Sequence, residues 1–327
     1  MMRALLWITT AAAVLYGGYW VAGSTAMRRG AEAALADLQA QGIAGPAEIT
    51  LRGFPSRFDL TVEPVALRRG AVEWTAPFVQ LFMLAYRPTH LIAVWPHEQV
   101  LTLAGLPLAI TSTDMRASAV VGASADLPLD RTVLIAEDLA IQAGADLGVT
   151  LTEARLATRA DPAGLTHDLG AELLGLSLSA GLRAAADPEG TLPAVMDRLR
   201  LDAALTLDRP LDRHAASAPP RPLALTLRDL SLRWGDLSLT ASGQLDRSAD
   251  GRLTGRIDID AEHWREILAL AVATGLVRAE LAPTYAAALE QLAAVSGPDP
   301  DRLQVPLVLS GGWITLGPLP IGIAPRI

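Results

Sequence analysis

The side chains in this 327-residue sequence with the chemistry for catalysis or metal binding are five histidines and a few carboxylate pairs. His90, His97 and Glu98 lie close enough along the chain to form an acid–base pair or to share a metal. Pro88 and Pro96 bracket the apolar residues 91–95, however, which reads as a buried strand with a histidine at each end. His167, His214 and His263 are scattered, without the i, i+4 spacing that puts two imidazoles on one helix face. Glu262 with Glu266, and Asp299 with Asp301, are the kind of pair a glycosidase uses. That chemistry depends on a separation in space rather than in sequence, and solvated faces account for both pairs.

Cysteine is absent, which excludes disulfides, thiolate metal sites and a cysteine nucleophile. Gly122-Ala-Ser124-Ala-Asp126 lacks the second glycine of a nucleophile elbow, and no glycine-rich turn precedes Lys-Ser/Thr to cradle a phosphate. The expectation is a protein that is not an enzyme, with no catalytic, cofactor or metal site. A net charge of -8 and a pI near 5.2 argue against a nucleic-acid partner. Every basic side chain is arginine, which biased codon usage explains more simply than a set of phosphate clamps.

The elements that must position these residues begin with residues 4–27, which carry no charge and are long enough to cross hydrocarbon as a helix. Tyr16, Tyr19 and Trp20 near its end suit the lipid–water interface. The short N-terminal stub favours a cytoplasmic N-terminus, an inner-membrane anchor at residues 4–27 and a periplasmic remainder. A cleaved signal peptide ending at Val21-Ala22-Gly23 is the alternative.

Beyond the span, Ala31, Ala34, Leu35 and Leu38 keep helical spacing until Gly42. The period then becomes two: Phe58, Leu60 and Val62 alternate, as do Leu223, Leu225 and Leu227. A strand–glycine–strand phrase recurs at Asp138–Leu147 and Asp229–Leu237, with a poorer copy at Pro64–Trp74, and reads as a repeated hairpin. Trp264, Ile267, Leu268, Ala271 and Val272 predict a helix with Asp260 as N-cap and Gly275 as stop. Tyr285, Ala288, Leu289 and Leu292 predict a second, with Pro283 in its first turn. The fold expected is mainly β with helices (α+β): a transmembrane helix, then a long, curved antiparallel sheet built from repeated hairpins and covered by a C-terminal helical hairpin. The expected divisions are an anchor at 1–27, a first β-rich part at 28–208, a proline-rich loop at 209–222 and a second β-rich part at 223–327.

Gly53-Phe-Pro-Ser-Arg-Phe-Asp-Leu60, Trp74-Thr-Ala-Pro77, Tyr86-Arg-Pro-Thr-His-Leu-Ile92 and Leu316-Gly-Pro-Leu-Pro-Ile-Gly322 resemble a family of exported alphaproteobacterial proteins, domain of unknown function 2125. That family is in turn similar to the AsmA-like envelope group. The resemblance implies a β-sheet groove for lipid or another apolar ligand, with Gly53, Phe54, Pro55, Arg57, Trp74, Tyr86 and His90 as the motif positions. A chain this short could not bridge two membranes alone.

Read without the family, Gly53 and Pro55 make a turn, Phe54 and Phe58 anchor it in apolar surface, and Arg57 with Asp59 faces solvent or pairs locally. Tyr86, His90, Trp95 and Trp74 are candidates for a groove lining, although aromatic strand residues are more often core. The function expected is a non-enzymatic envelope protein holding an apolar ligand in a sheet groove, the alternative a structural scaffold that docks other envelope proteins.

Overall fold

The apolar N-terminus is helical throughout, and the helix continues past the uncharged residues. In the computed structural model, α1 runs without a break over Met2–Ala40. Nothing between the span and Gly42 breaks the helical pattern. At Gly42 (φ 69°) the chain turns, as the Gly42 and Ile43 N–H groups donate to the carbonyls of Gln39 and Leu38. This glycine-ended pair of bonds satisfies carbonyls that the last helical turn would otherwise leave orphaned. The structure describes residues 2–144, 146–187, 190–215, 217–273, 275 and 277–326. Among them, α1 is the one helix long and apolar enough to cross a membrane.

The chain divides into two units, Met1–Val121 and Gly122–Ile327. The first contains α1 and nine short strands: β1 (Glu48–Arg52), β2 (Arg57–Glu63), β3 (Val65–Arg69), β4 (Val72–Ala76), β5 (Val79–Leu84), β6 (Arg87–Val94), β7 (Glu98–Leu103), β8 (Leu106–Thr111) and β9 (Asp114–Val121). These form two antiparallel ladders, β1–β2–β5–β6–β9 and β3–β4–β7–β8. The chain passes from one ladder to the other at Pro64, whose missing N–H suits a strand end. Alternation holds on β2, where Phe58 and Leu60 are buried and their neighbours are not.

Among the described residues, the second unit holds ten strands in sequential antiparallel pairing. They are β10 (Leu129–Ala143), β11 (Leu147–Ala160), β12 (Thr166–Leu178), β13 (Val195–Leu207), β14 (Pro222–Trp234), β15 (Leu237–Arg247), β16 (Leu253–Glu262), β17 (Arg302–Ser310), β18 (Trp313–Leu316) and β19 (Leu319–Ile323). Helix α2 (Ala180–Ala186) joins β12 to β13, while α3 (Trp264–Ala273) and α4 (Ala282–Ser296) lie between β16 and β17. The three strand–glycine–strand phrases are the hairpins β3–β4, β10–β11 and β14–β15, with Gly70, Gly144 and Gly235 in their turns. The described residues between β13 and β14 form a loop, pinned where the Arg221 N–H donates to Asp208 at 2.8 Å.

One expectation is overturned. The sheet is not a long, curved surface curling over under a helical lid: it is a large antiparallel sheet that neither curls up nor closes. Closure requires first and last strands to pair with matched stagger. Among the described residues β19 pairs only with β18, and strand length falls from 15 residues in β10 to 5 in β19. The helical pair packs locally, α3 on β15 and α4 on β17, instead of covering the sheet. Its core is Trp264, Leu289, Ala293, Leu303 and Val305. Asp260 is also not the N-cap of α3. It lies on β16, where Arg302 grips both carboxylate oxygens at 2.9 and 2.5 Å, and the helix begins at Trp264.

Candidate functional site

Two places in the fold gather side chains with a use beyond packing, one in each unit. In the first, the hairpin β1–β2 runs along α1 and delivers the loop at residues 53–56 to the helix at Trp20. The loop is closed by the Arg57 N–H donating to the Gly53 carbonyl at 2.9 Å. Gly53 has φ 107°, and a Cβ there would meet the Arg57 carbonyl oxygen at 2.7 Å, so only glycine fits this close approach. The Trp20 indole N–H donates to the Arg57 carbonyl at 2.8 Å, and the Tyr19 hydroxyl donates to the Ala85 carbonyl at 2.6 Å. Trp20 stacks on Phe58 at 6.0 Å and meets Phe54 edge-on at 5.2 Å, the geometries that aromatic quadrupoles favour. Phe58 is buried against Gly23, where even one added carbon would stand 2.9 Å from its ring.

The motif positions therefore separate. Gly53, Phe54, Pro55 and Arg57 form a collar on the Trp20 side of α1, and Tyr86 stands in the adjoining β5–β6 turn. Arg57 also pairs with Asp59 at 2.8 Å. Phe54 is 63% exposed and Tyr86 70%. Trp74 and His90 lie elsewhere, within the ladders: the Trp74 indole donates to Gln99 at 3.1 Å, and His90 bonds Ser118 across β6–β9 at 2.8 Å.

In the second unit, several arginines of the sheet pair with carboxylates, across strands at Arg198, Arg200, Arg228 and Arg302 and along one strand at Arg155 and Arg256. Arg228 bridges Asp168 and Asp202, and Arg302 holds Asp260 below the usual carboxylate range, with Gln304 adding a further hydrogen bond. Cations already neutralised in this way make poor anion sites. Asp161, Asp187, Asp208 and Asp250 are also held below the usual range, chiefly by backbone N–H groups in the first three and by the Ser248 hydroxyl in Asp250. All four organise turns. Asp299 and Asp301 are absorbed in the same way, Asp301 accepting from Arg265 at 2.9 Å and Asp299 from the Asp301 N–H at 3.0 Å. Among the described residues no group of three or more His, Asp or Glu is placed to hold a metal. His167 is 1% exposed on β12, and neither ring nitrogen has a hydrogen-bond partner.

The second candidate is an open cleft of about 710 Å³ bounded by α3, α4 and the segment after α2. Its walls include Leu192, Trp264, Leu268, Val272, Pro283 and Ala286. Asp187 fixes the α2 side by accepting the N–H groups of Thr191 and Leu192 at 3.0 and 2.8 Å. Arg265 lies over the Trp264 ring at 4.5 Å and ties Glu290 to Asp301 at the rim. The cleft falls within the few-hundred to thousand Å³ range of small-molecule sites, with apolar walls and a polar rim. The helical spacing of residues 264–272 was visible in the sequence. The helix α2 was not.

The family model described as "Uncharacterized protein conserved in bacteria (DUF2125)" matches residues 20–325. No curated protein and no solved structure matches the chain.

Proposed function

We propose that this chain, which belongs to the DUF2125 family, is a non-enzymatic, membrane-anchored envelope protein that holds an acyl chain or similar apolar ligand in the cleft between α3 and α4. In this reading α1 is the inner-membrane anchor, the N-terminus is cytoplasmic and both sheet-bearing units are periplasmic. The resemblance to AsmA-like proteins points the same way, with the ligand moved from a sheet groove to the helical cleft. The observation that carries the proposal is that cleft: apolar walls around about 710 Å³, beside helices whose buried faces are already satisfied by β15 and β17. Leaving such walls open to water forgoes about 25 cal/mol for each Å² of apolar surface. The test is solvent extraction of the full chain purified in mild detergent, followed by mass analysis. Stoichiometric lipid is expected, and a ligand-free protein would count against the reading.

The scaffold alternative is favoured by a different feature. Strand β19 is an edge strand, and Trp313, Ile321 and Ile323 on the last hairpin are 58%, 41% and 67% exposed. An exposed apolar edge is a template for strand addition by a partner. Under this alternative an envelope protein, and no lipid, should co-purify.

A further inference from the structure

We infer that the loop at residues 53–56 and the β5–β6 turn form a second membrane contact, seating Phe54 and Tyr86 in the headgroup region of the bilayer that α1 crosses. The inference rests on the anchor reading above and on three features of the first unit.

The first is the level at which the unit grips its own helix. The hydrogen bonds of Tyr19 and Trp20 to Ala85 and Arg57 fix the loop and the turn about two thirds of the way along the uncharged run, two helical turns before its end at Met27. Residues 4–27 therefore cannot all lie in hydrocarbon, because from Trp20 onward α1 has protein packed against it.

The second is length. Between Arg3 and Trp20 the helix rises about 26 Å at about 1.5 Å per residue, less than the roughly 30 Å of a typical hydrocarbon core. Tilting the helix shortens the available span further, while Arg3 reaching out to its own interface offsets part of the shortfall. The collar is consequently drawn down onto the bilayer, with the aromatic residues around Trp20 at the boundary.

The third is composition. At that level the unit exposes Phe54 and Tyr86, beside Tyr16 and Tyr19 on the helix. Arg52 and Arg87 follow on the exposed ends of β1 and β6. Aromatic side chains flanked by arginines are the composition of a membrane interface, where a ring sits half in lipid and a guanidinium meets phosphate. The opposite end of the same unit, at the β7–β8 turn, exposes Leu103 and Leu106 with no aromatic residue in the turn.

The absence of cysteine makes the test direct, since each introduced cysteine is the sole labelling site. Full-length variants Phe54→Cys, Tyr86→Cys, Leu15→Cys and Leu106→Cys would carry an environment-sensitive fluorophore. They would be reconstituted in vesicles of phosphatidylethanolamine and phosphatidylglycerol containing a nitroxide-bearing lipid. The inference predicts quenching at 54 and 86 several-fold above that at 106, with quenching at 15 confirming insertion. Strong quenching at 15 with 54 and 86 no different from 106 would overturn the inference and leave the anchor standing. Quenching at none of the four would overturn the anchor, and the inference with it. Either collar position alone can report should the other variant not fold.

Discussion

Replacing Gly53 by alanine isolates what the collar costs to build. The left-handed backbone at φ 107° strains any residue with a Cβ by about 1–3 kcal/mol. The new carbon would also stand 2.7, 3.0 and 3.1 Å from the carbonyl oxygen, carbonyl carbon and Cβ of Arg57. These are atoms of the residue that closes the loop and accepts the Trp20 indole, so they cannot move without opening it. Overpacking of this kind adds about 1–3 kcal/mol, for a total of roughly 4. Gly70 is the matched control, because it has φ 61° but open space around its Cβ position, which leaves only about 1–2 kcal/mol of strain. At about 4 °C per kcal/mol, Gly53→Ala should melt about 10 °C below Gly70→Ala when the first unit is followed in detergent. Equal melting temperatures would refute the idea that Gly53 is required by contact with Arg57.

Placing a charge near the middle of the span with Leu15→Arg should lower membrane retention, at about 2.5–3.5 kcal/mol on insertion scales, as read by fractionation. The depressed carboxylates Asp161, Asp187, Asp208, Asp250 and Asp260 set a sign for acid sensitivity. A carboxyl whose folded pKa lies below its unfolded value stabilises fully above about pH 4 and progressively loses that stabilisation as pH falls through the folded value. Melting temperature should therefore be level at neutral pH and drop below pH 4, with Arg302→Met showing a smaller drop because Asp260 has lost its partner. Arg265→Ala removes a cation–π contact and two exposed ion pairs, so the melting of the second unit should shift by about 1–2 kcal/mol.

What the sequence made legible follows from how local each signal is. The apolar run, the alternation on β2, the glycine turns at 70, 144 and 235 and the helical spacing at 264–272 are set by neighbours along the chain. Each appears in the structure. Asp260 was misread because an aspartate before a helix pattern looks like a cap, while its partner Arg302 lies forty-two residues away, on β17. The curvature expected of the sheet depended on which strands meet at its ends, and alternation alone carries no such information. The collar is the instructive case. The aromatic belt at 16–20 and the Gly53 phrase were both visible, yet nothing in either showed that Trp20 rests on Phe58. Gly23, which lies against that ring, figures in the sequence only as part of a cleavage site.

Native mass spectrometry of the full chain released from lipid vesicles, alongside Ala286→Trp, addresses the proposed cleft. Ala286 lies on the cleft wall and is only partly buried, so an indole there fills the space without displacing the core of Leu289 and Ala293. The wild-type chain should carry one lipid-sized mass that the variant loses, with both proteins equally folded. A bare wild-type chain, or a lipid mass that survives unchanged in Ala286→Trp, would contradict the binding of an apolar ligand between α3 and α4.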